Sequence, residues 1–109
     1  MMQKPVTLFI AGAIALAGSS LYAQKGDAAK GKEVFEQCSV CHNSDSAEVK
    51  MGPGLKGEFK KGKMTSTGKP VTEANILQKI NEGGNGMPSY KDILSDEEKA
   101  NVIAFLKTL

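Results

Sequence analysis

The stretch Cys38-Ser39-Val40-Cys41-His42 holds both cysteines of the chain and its one histidine within five consecutive residues. Thiols at i and i+3, followed by an imidazole at i+4, share one face of a helical turn. That spacing lets two sulfurs bond the edge of a flat ring while the imidazole nitrogen reaches the ring's centre. A porphyrin with two vinyl groups and a central iron meets those demands, and C-x-x-C-H is the pattern of covalent c-type haem attachment. The expected bonds are thioethers from Cys38 and Cys41 and an axial iron bond from His42.

Rival chemistries fit this stretch less well. A structural zinc site takes four nitrogen or sulfur ligands, and the chain offers three Cys and His groups, so a carboxylate would have to complete the set. A thioredoxin-like dithiol sits near a βαβ pattern, and none follows here. A disulfide between Cys38 and Cys41 would give the adjacent histidine no purpose.

Working outward to the N-terminus, residues 1–5 carry one positive side chain, Lys4, and 6–17 form an uncharged, mostly apolar run. Small residues follow up to Ala23. These are the three regions of a secretory signal peptide. Cleavage is expected after Ala23, although Leu21 is bulkier than the residue usual at its place. The apolar run is shorter than the roughly 20 residues a membrane-spanning helix needs; left uncleaved, the segment would serve as an N-terminal membrane anchor. Residues 1–23 are therefore read as a leader and 24–109 as one small domain.

A domain of this size is marginal on its own apolar burial, and the chain has no tryptophan. A haem at its centre would supply the missing apolar surface, so the chain without it should fold poorly. The 14 basic residues are all lysine and face 12 acidic ones. That near balance argues against nucleic-acid binding, which calls for clustered Arg and Lys on a strongly basic domain. Export together with C-x-x-C points outside the cytoplasm, to the periplasm, where thiols are oxidised or covalently capped.

Three segments read as helices. Residues 27–38 open on Asp27 as N-cap and place Gly31 one turn before Phe35, a glycine that either suits a close helix crossing or merely marks the helix start. Residues 72–82 open on Thr72, carry Ile76, Leu77 and Ile80 as an apolar stripe, and stop at Gly83-Gly84. The last segment opens with Ser95-Asp96-Glu97-Glu98, a capping box, and presents Val102, Ile103, Phe105, Leu106 and Leu109 on one wide face. Lys107 complements the dipole at that helix's end. No β-strand is expected.

Residues 43–71 read as loop, rich in glycine and proline. A structureless loop of that length is tolerated in a small domain if its side chains pack on a cofactor. Met51-Gly52-Pro53-Gly54-Leu55 admits two readings. It is an ordinary Gly-Pro turn, or a segment whose Pro53 carbonyl accepts a hydrogen bond from the second nitrogen of His42 and fixes the ring. Lys56, Lys60, Lys61 and Lys63 are either solvated surface or a patch that steers an acidic redox partner.

A haem iron held by His42 has one further axial position, and with no second histidine a methionine is the expected ligand. Met51 adjoins the histidine-side segment and Met64 lies in the Lys- and Gly-rich loop; both read as filler. Met87 follows a helix able to cover the ring and sits between Gly86 and Pro88, which fix its backbone. Met87 is therefore the expected ligand.

With these residues in view, the chain resembles the small bacterial class I c-type cytochromes over residues 24–109. Cys38-Ser39-Val40-Cys41-His42 matches the haem-binding motif, Gly52-Pro53-Gly54-Leu55 the histidine-side loop, and Met87-Pro88 the axial-methionine turn. Gly31 and Phe35 resemble the family's first-helix contact pair, and Phe105 the aromatic position of its final helix. The resemblance implies an all-α cytochrome c fold, three main helices and loops around one covalent haem c, with first and last helices crossing near Gly31. It also implies that the Pro53 carbonyl bonds to His42. Two departures stand out. With no arginine, the haem propionates fall to Lys, Asn, Tyr or backbone groups, and Asn43 stands where a glycine often follows the motif.

The expected function is a monomeric, soluble one-electron carrier in an exported respiratory or dehydrogenase-linked chain, cycling between ferrous and ferric iron with redox proteins as partners. An open or labile sixth position would instead make a peroxidase or gas-binding protein. A retained N-terminal anchor would make a haem subunit of a larger oxidoreductase complex.

Overall fold

In the computed structural model, residues 25–109 are described. The leader read in residues 1–23 lies outside them. Three α-helices form the frame: α1 (Ala28–Phe35), α2 (Glu73–Glu82) and α3 (Asp96–Leu106), with one 3-10 turn at Glu58–Lys60. Among the described residues extended pairing is confined to two isolated antiparallel bridges, Lys63 with Pro70 and Gly84 with Met87. No helix among them is long and apolar enough to cross a membrane.

Each helix starts where its cap dictates. The Asp27 side chain accepts from the backbone N–H groups of Ala29 and Lys30, and Thr72 accepts from Asn75 N–H. At α3 the box is complete: Ser95 Oγ accepts from Glu98 N–H at 3.1 Å, and a Glu98 carboxylate oxygen accepts from Ser95 N–H at 2.8 Å. These side chains satisfy donors that a helix start leaves unpaired.

Helix α1 ends earlier than its pattern suggests. Regular α-helix stops at Phe35 rather than running to Cys38. Cys38 N–H bonds to Phe35 O at 2.7 Å, an i to i−3 contact that tightens the chain into successive turns. Cys41 N–H and His42 N–H then share Cys38 O at 3.1 and 2.9 Å, so the motif still closes one helical turn of its own.

Helices α1 and α3 cross at Gly31. A Cβ there would stand 2.5 Å from the Asn101 carbonyl carbon, 2.9 Å from Phe105 Cβ and closer still to Asn101 O. Only glycine lets the two backbones meet. Phe35 and Phe105 pack across the crossing with ring centroids 5.4 Å apart. Asn101, buried in α3, accepts Asp27 N–H at 2.7 Å and so ties the start of α1 to the middle of α3.

The core comprises Phe35, Met64, Ile76, Ile80, Leu94, Val102, Ile103 and Leu106. In the apolar stripe of α2, Ile76 and Ile80 are buried but Leu77 is 36% exposed, since the stripe is narrower than the run of apolar letters. Phe105 and Leu109 are partly buried against the core. Lys107 does more than sit at a dipole: its ammonium pairs with the Glu73 carboxylate and links the end of α3 to the start of α2.

Candidate haem-binding site

The three helices and the long loop leave one apolar cavity of about 430 Å³ at the heart of the fold. Its size falls within the range of cofactor pockets. Cys38, Cys41, His42, Pro53 and Met87 all line it, as do the core residues Phe35, Met64, Ile76 and Ile80. The structure thus brings every candidate residue to one wall-to-wall space.

The histidine side is built by the loop after the motif. Gly52 N–H bonds Cys41 O and Leu55 N–H bonds Asn43 O, each at 2.7 Å, folding 52–55 back over the motif. Asn43 contributes its side chain as well, donating to Glu48 O at 3.0 Å. The loop brings Pro53 O to 2.8 Å from His42 Nδ1. With Nδ1–H donating to that carbonyl, Nε2 is the nitrogen left with its lone pair for a metal. Gly52 is required for this approach, because a Cβ would stand 2.5 Å from Cε1 and 2.9 Å from Nδ1 of the imidazole.

Cys38 and Cys41 are free and half-buried. Burial pushes the Cys38 thiol up, and the nearby Cys41 adds to the rise. Tyr90 is raised by burial first and then by Cys38 and Cys41, with which it lines the same cavity. A raised Cys38 thiol beside an apolar cavity suits covalent capping better than service as an exposed thiolate. Among the described residues no three His, Cys, Asp or Glu side chains converge as a metal site.

The three methionines have different surroundings. Met64, read as loop, is 6% exposed and belongs to the core, with its sulfur accepting from Thr67 Oγ1 at 3.8 Å. Met51 is no core filler: it is 80% exposed, with its sulfur 3.8 Å from Cys41 Sγ at the cavity mouth. Met87 is half-buried at the tip of a turn and its sulfur has no hydrogen bond among the described residues. Its backbone pairs with Gly84 in both directions, at 2.8 and 3.1 Å. Residues 83–86 enter that turn with four consecutive positive φ values, 67°, 108°, 57° and 91°.

Several site residues carried no sequence signal. Gln37, Thr65, Ser66, Lys79, Asn85 and Tyr90 put polar groups on the cavity wall, a wider set than the Lys, Asn and Tyr anticipated for the propionates. Glu58, at 4% exposure, is buried in the wall and takes an ion pair from Lys61 at 3.1 Å. Lys61 also donates to Thr65 Oγ1 at 2.8 Å, so of the four clustered lysines it is the one turned to an internal partner. Lys61 stands only three residues on, so the pair itself is local; the burial of the carboxylate beneath it is what the spacing does not show.

Comparisons with known proteins point to one family. The family model described as Cytochrome c matches residues 28–109. A cytochrome c2 of Blastochloris viridis is 40% identical over 88% of this chain and 88% of its own length. A cytochrome c2 of Rhodospirillum rubrum is 32% identical over 89% of this chain and 90% of its own. Among solved structures, cytochrome c6 from the diatom Phaeodactylum tricornutum superposes with a TM-score of 0.60 at 30% identity, covering 76% of this chain and 93% of that one.

Proposed function

The chain belongs to the cytochrome c family, and on that footing we propose that it ferries single electrons between redox proteins outside the cytoplasm, with Cys38 and Cys41 as thioether anchors and His42 and Met87 as axial ligands. It is a haem c protein and an electron carrier rather than an enzyme. The haem, when bound, supplies a one-electron couple between ferrous and ferric iron. The chain's own residues bind it, orient it and screen it from water.

The observation that carries the reading is the 2.8 Å contact between His42 Nδ1 and Pro53 O, inside a cavity that also receives both thiols and Met87. The carbonyl fixes the ring plane and tautomer and makes Nε2 more basic. Met87 offers a soft thioether, which favours the ferrous state and a higher potential. The apolar wall of Phe35, Ile76, Ile80, Leu94, Val102 and Leu106 pushes the same way, because it disfavours added positive charge. Oxidation then requires no proton and no change of ligand.

For the partner surface, Lys56, Lys60 and Lys63 are exposed and form the positive patch we assign to docking an acidic redox protein. Lys61 contributes less, since Glu58 offsets its charge. Residues 1–23, as a secretory leader, would direct export, and their cleavage would release the domain into the periplasm.

A spectroelectrochemical titration tests the carrier reading. A reversible transition with a one-electron slope is expected; rapid turnover of peroxide or failure to re-reduce would contradict it. Association with an acidic partner should slow as salt rises, and should slow further when Lys56, Lys60 and Lys63 become glutamine. Rates indifferent to both changes would dismiss the patch.

A further inference from the structure

Lys79 lies three residues before the end of the helical pattern over 72–82, and nothing in that pattern distinguishes it from a solvated lysine. In the structure its side chain runs forward along the helix end. Nζ donates to Gly83 O at 3.1 Å and to Gly84 O at 3.3 Å, and its own carbonyl accepts Gly83 N–H at 2.8 Å. The side chain also forms part of the cavity wall beside Gly84, Gly86 and Met87.

These contacts fall on the turn that presents Met87. Gly84 is the residue whose backbone pairs with Met87 in both directions. The exit of the turn is anchored separately, by Tyr90 N–H to Ile80 O at 2.9 Å and by Ser89 Oγ to Asn81 O at 2.5 Å. The entry, 83–86, consists of three glycines and an asparagine in left-handed backbone, so it has little intrinsic stiffness. Among the described residues Lys79 is the one side chain that hydrogen-bonds this entry. Its cation faces carbonyls at the negative end of α2, where helix dipole and hydrogen bonding act together.

We propose that Lys79 is a positioning residue for Met87: its ammonium clamps the Gly83 and Gly84 carbonyls and keeps the methionine turn closed over the cavity. This rests on the reading of Met87 as axial ligand. Without the clamp the turn opens more often, and an added ligand reaches the iron position more readily.

The test uses ferric holoprotein and imidazole as the competing ligand. Lys79→Met keeps the apolar stem and removes the donors. It should bind imidazole about tenfold more tightly than the parent, the order expected for losing charged hydrogen bonds, and its sulfur-to-iron charge-transfer band should weaken. Lys79→Arg, which restores donors, should recover most of both. Lys99→Met serves as control: Lys99 is buried and donates to Lys91 O at 2.9 Å, away from the cavity, so its loss should destabilise the fold without tightening imidazole binding.

Three results would overturn the proposal. Lys79→Met could bind imidazole as the parent does, or Lys99→Met could tighten binding equally, which would reduce Lys79 to general stability. If Met87→Ala leaves the parent's charge-transfer band and imidazole affinity unchanged, the ligand reading itself fails and the clamp falls with it. A band that vanishes in Met87→Ala, beside an unaltered Lys79→Met, would reject the clamp alone.

Discussion

His42 Nδ1 stands 2.8 Å from the carbonyl oxygen of Pro53, and the imidazole passes so near Gly52 that a single added methyl would collide with it. The ring's orientation is therefore set by backbone alone, one carbonyl and one missing side chain. Because no side chain among the described residues hydrogen-bonds Nδ1, the tautomer follows from the chain path.

Gly52→Ala should expose this dependence. Its Cβ would lie 2.5 Å from Cε1, and the ring would have to swing away from Pro53 to admit it. Overpacking of this kind costs about 1–3 kcal/mol. The expected outcome is a lower thermal midpoint and a fraction of ferric protein in a high-spin spectrum, read in the same melting experiment.

Gly31→Ala strikes the frame rather than the site. The new methyl would meet the Asn101 backbone, which cannot move without parting α1 from α3. We expect a loss of about 3 kcal/mol or more, which for a domain of this size lowers the melting point by more than 10 °C, given about 4–8 °C per kcal/mol. Holoprotein that melts within a few degrees of the parent would contradict the crossing.

Asn85 tests the methionine turn. It is the one non-glycine among the described residues with positive φ, at 57°. Asparagine tolerates the left-handed region better than alanine does. Asn85→Ala should cost about 1 kcal/mol, whereas Asn85→Gly should stay within about 0.5 kcal/mol of the parent. Denaturant unfolding of the three proteins ranks them directly, and alanine equal to glycine would remove the strain argument.

A fourth prediction concerns Asn101, whose Oδ1 holds Asp27 N–H at 2.7 Å. Asn101→Leu leaves a partly buried donor unpaired at the start of α1, a loss of about 1–3 kcal/mol. Hydrogen exchange at Asp27 N–H should accelerate with it, while exchange within α2 rises less.

The residues proposed as the site's ligands stand out in the sequence because their signal is local. C-x-x-C-H, the Thr72 cap, the Ser95–Glu98 box and the Met87-Pro88 turn depend on residues within a few positions of one another. Features that depend on distant partners were not legible. Asn101 is buried against Asp27, far away in the chain, and Glu58 is buried by the packing around its 3-10 turn; the contacts of Lys79 are close in sequence but depend on the path the chain takes after α2. Apolar letters also misled where no neighbour covers them: Leu77 and Met51 face solvent, while Met64, in a segment dense with lysine and glycine, is core. Even the end of α1 was set by a Cys38–Phe35 backbone bond that no propensity foretells.

Visible absorption of the holoprotein tests the proposal that His42 and Met87 together close the iron's axial positions. A low-spin ferric spectrum with a sulfur-to-iron charge-transfer band is expected, and a ferrous spectrum unmoved by carbon monoxide. In Met87→Ala the band should vanish, carbon monoxide should bind and the potential should fall. A parent protein that binds carbon monoxide readily, or a Met87→Ala variant that keeps the native ferric band, would contradict it.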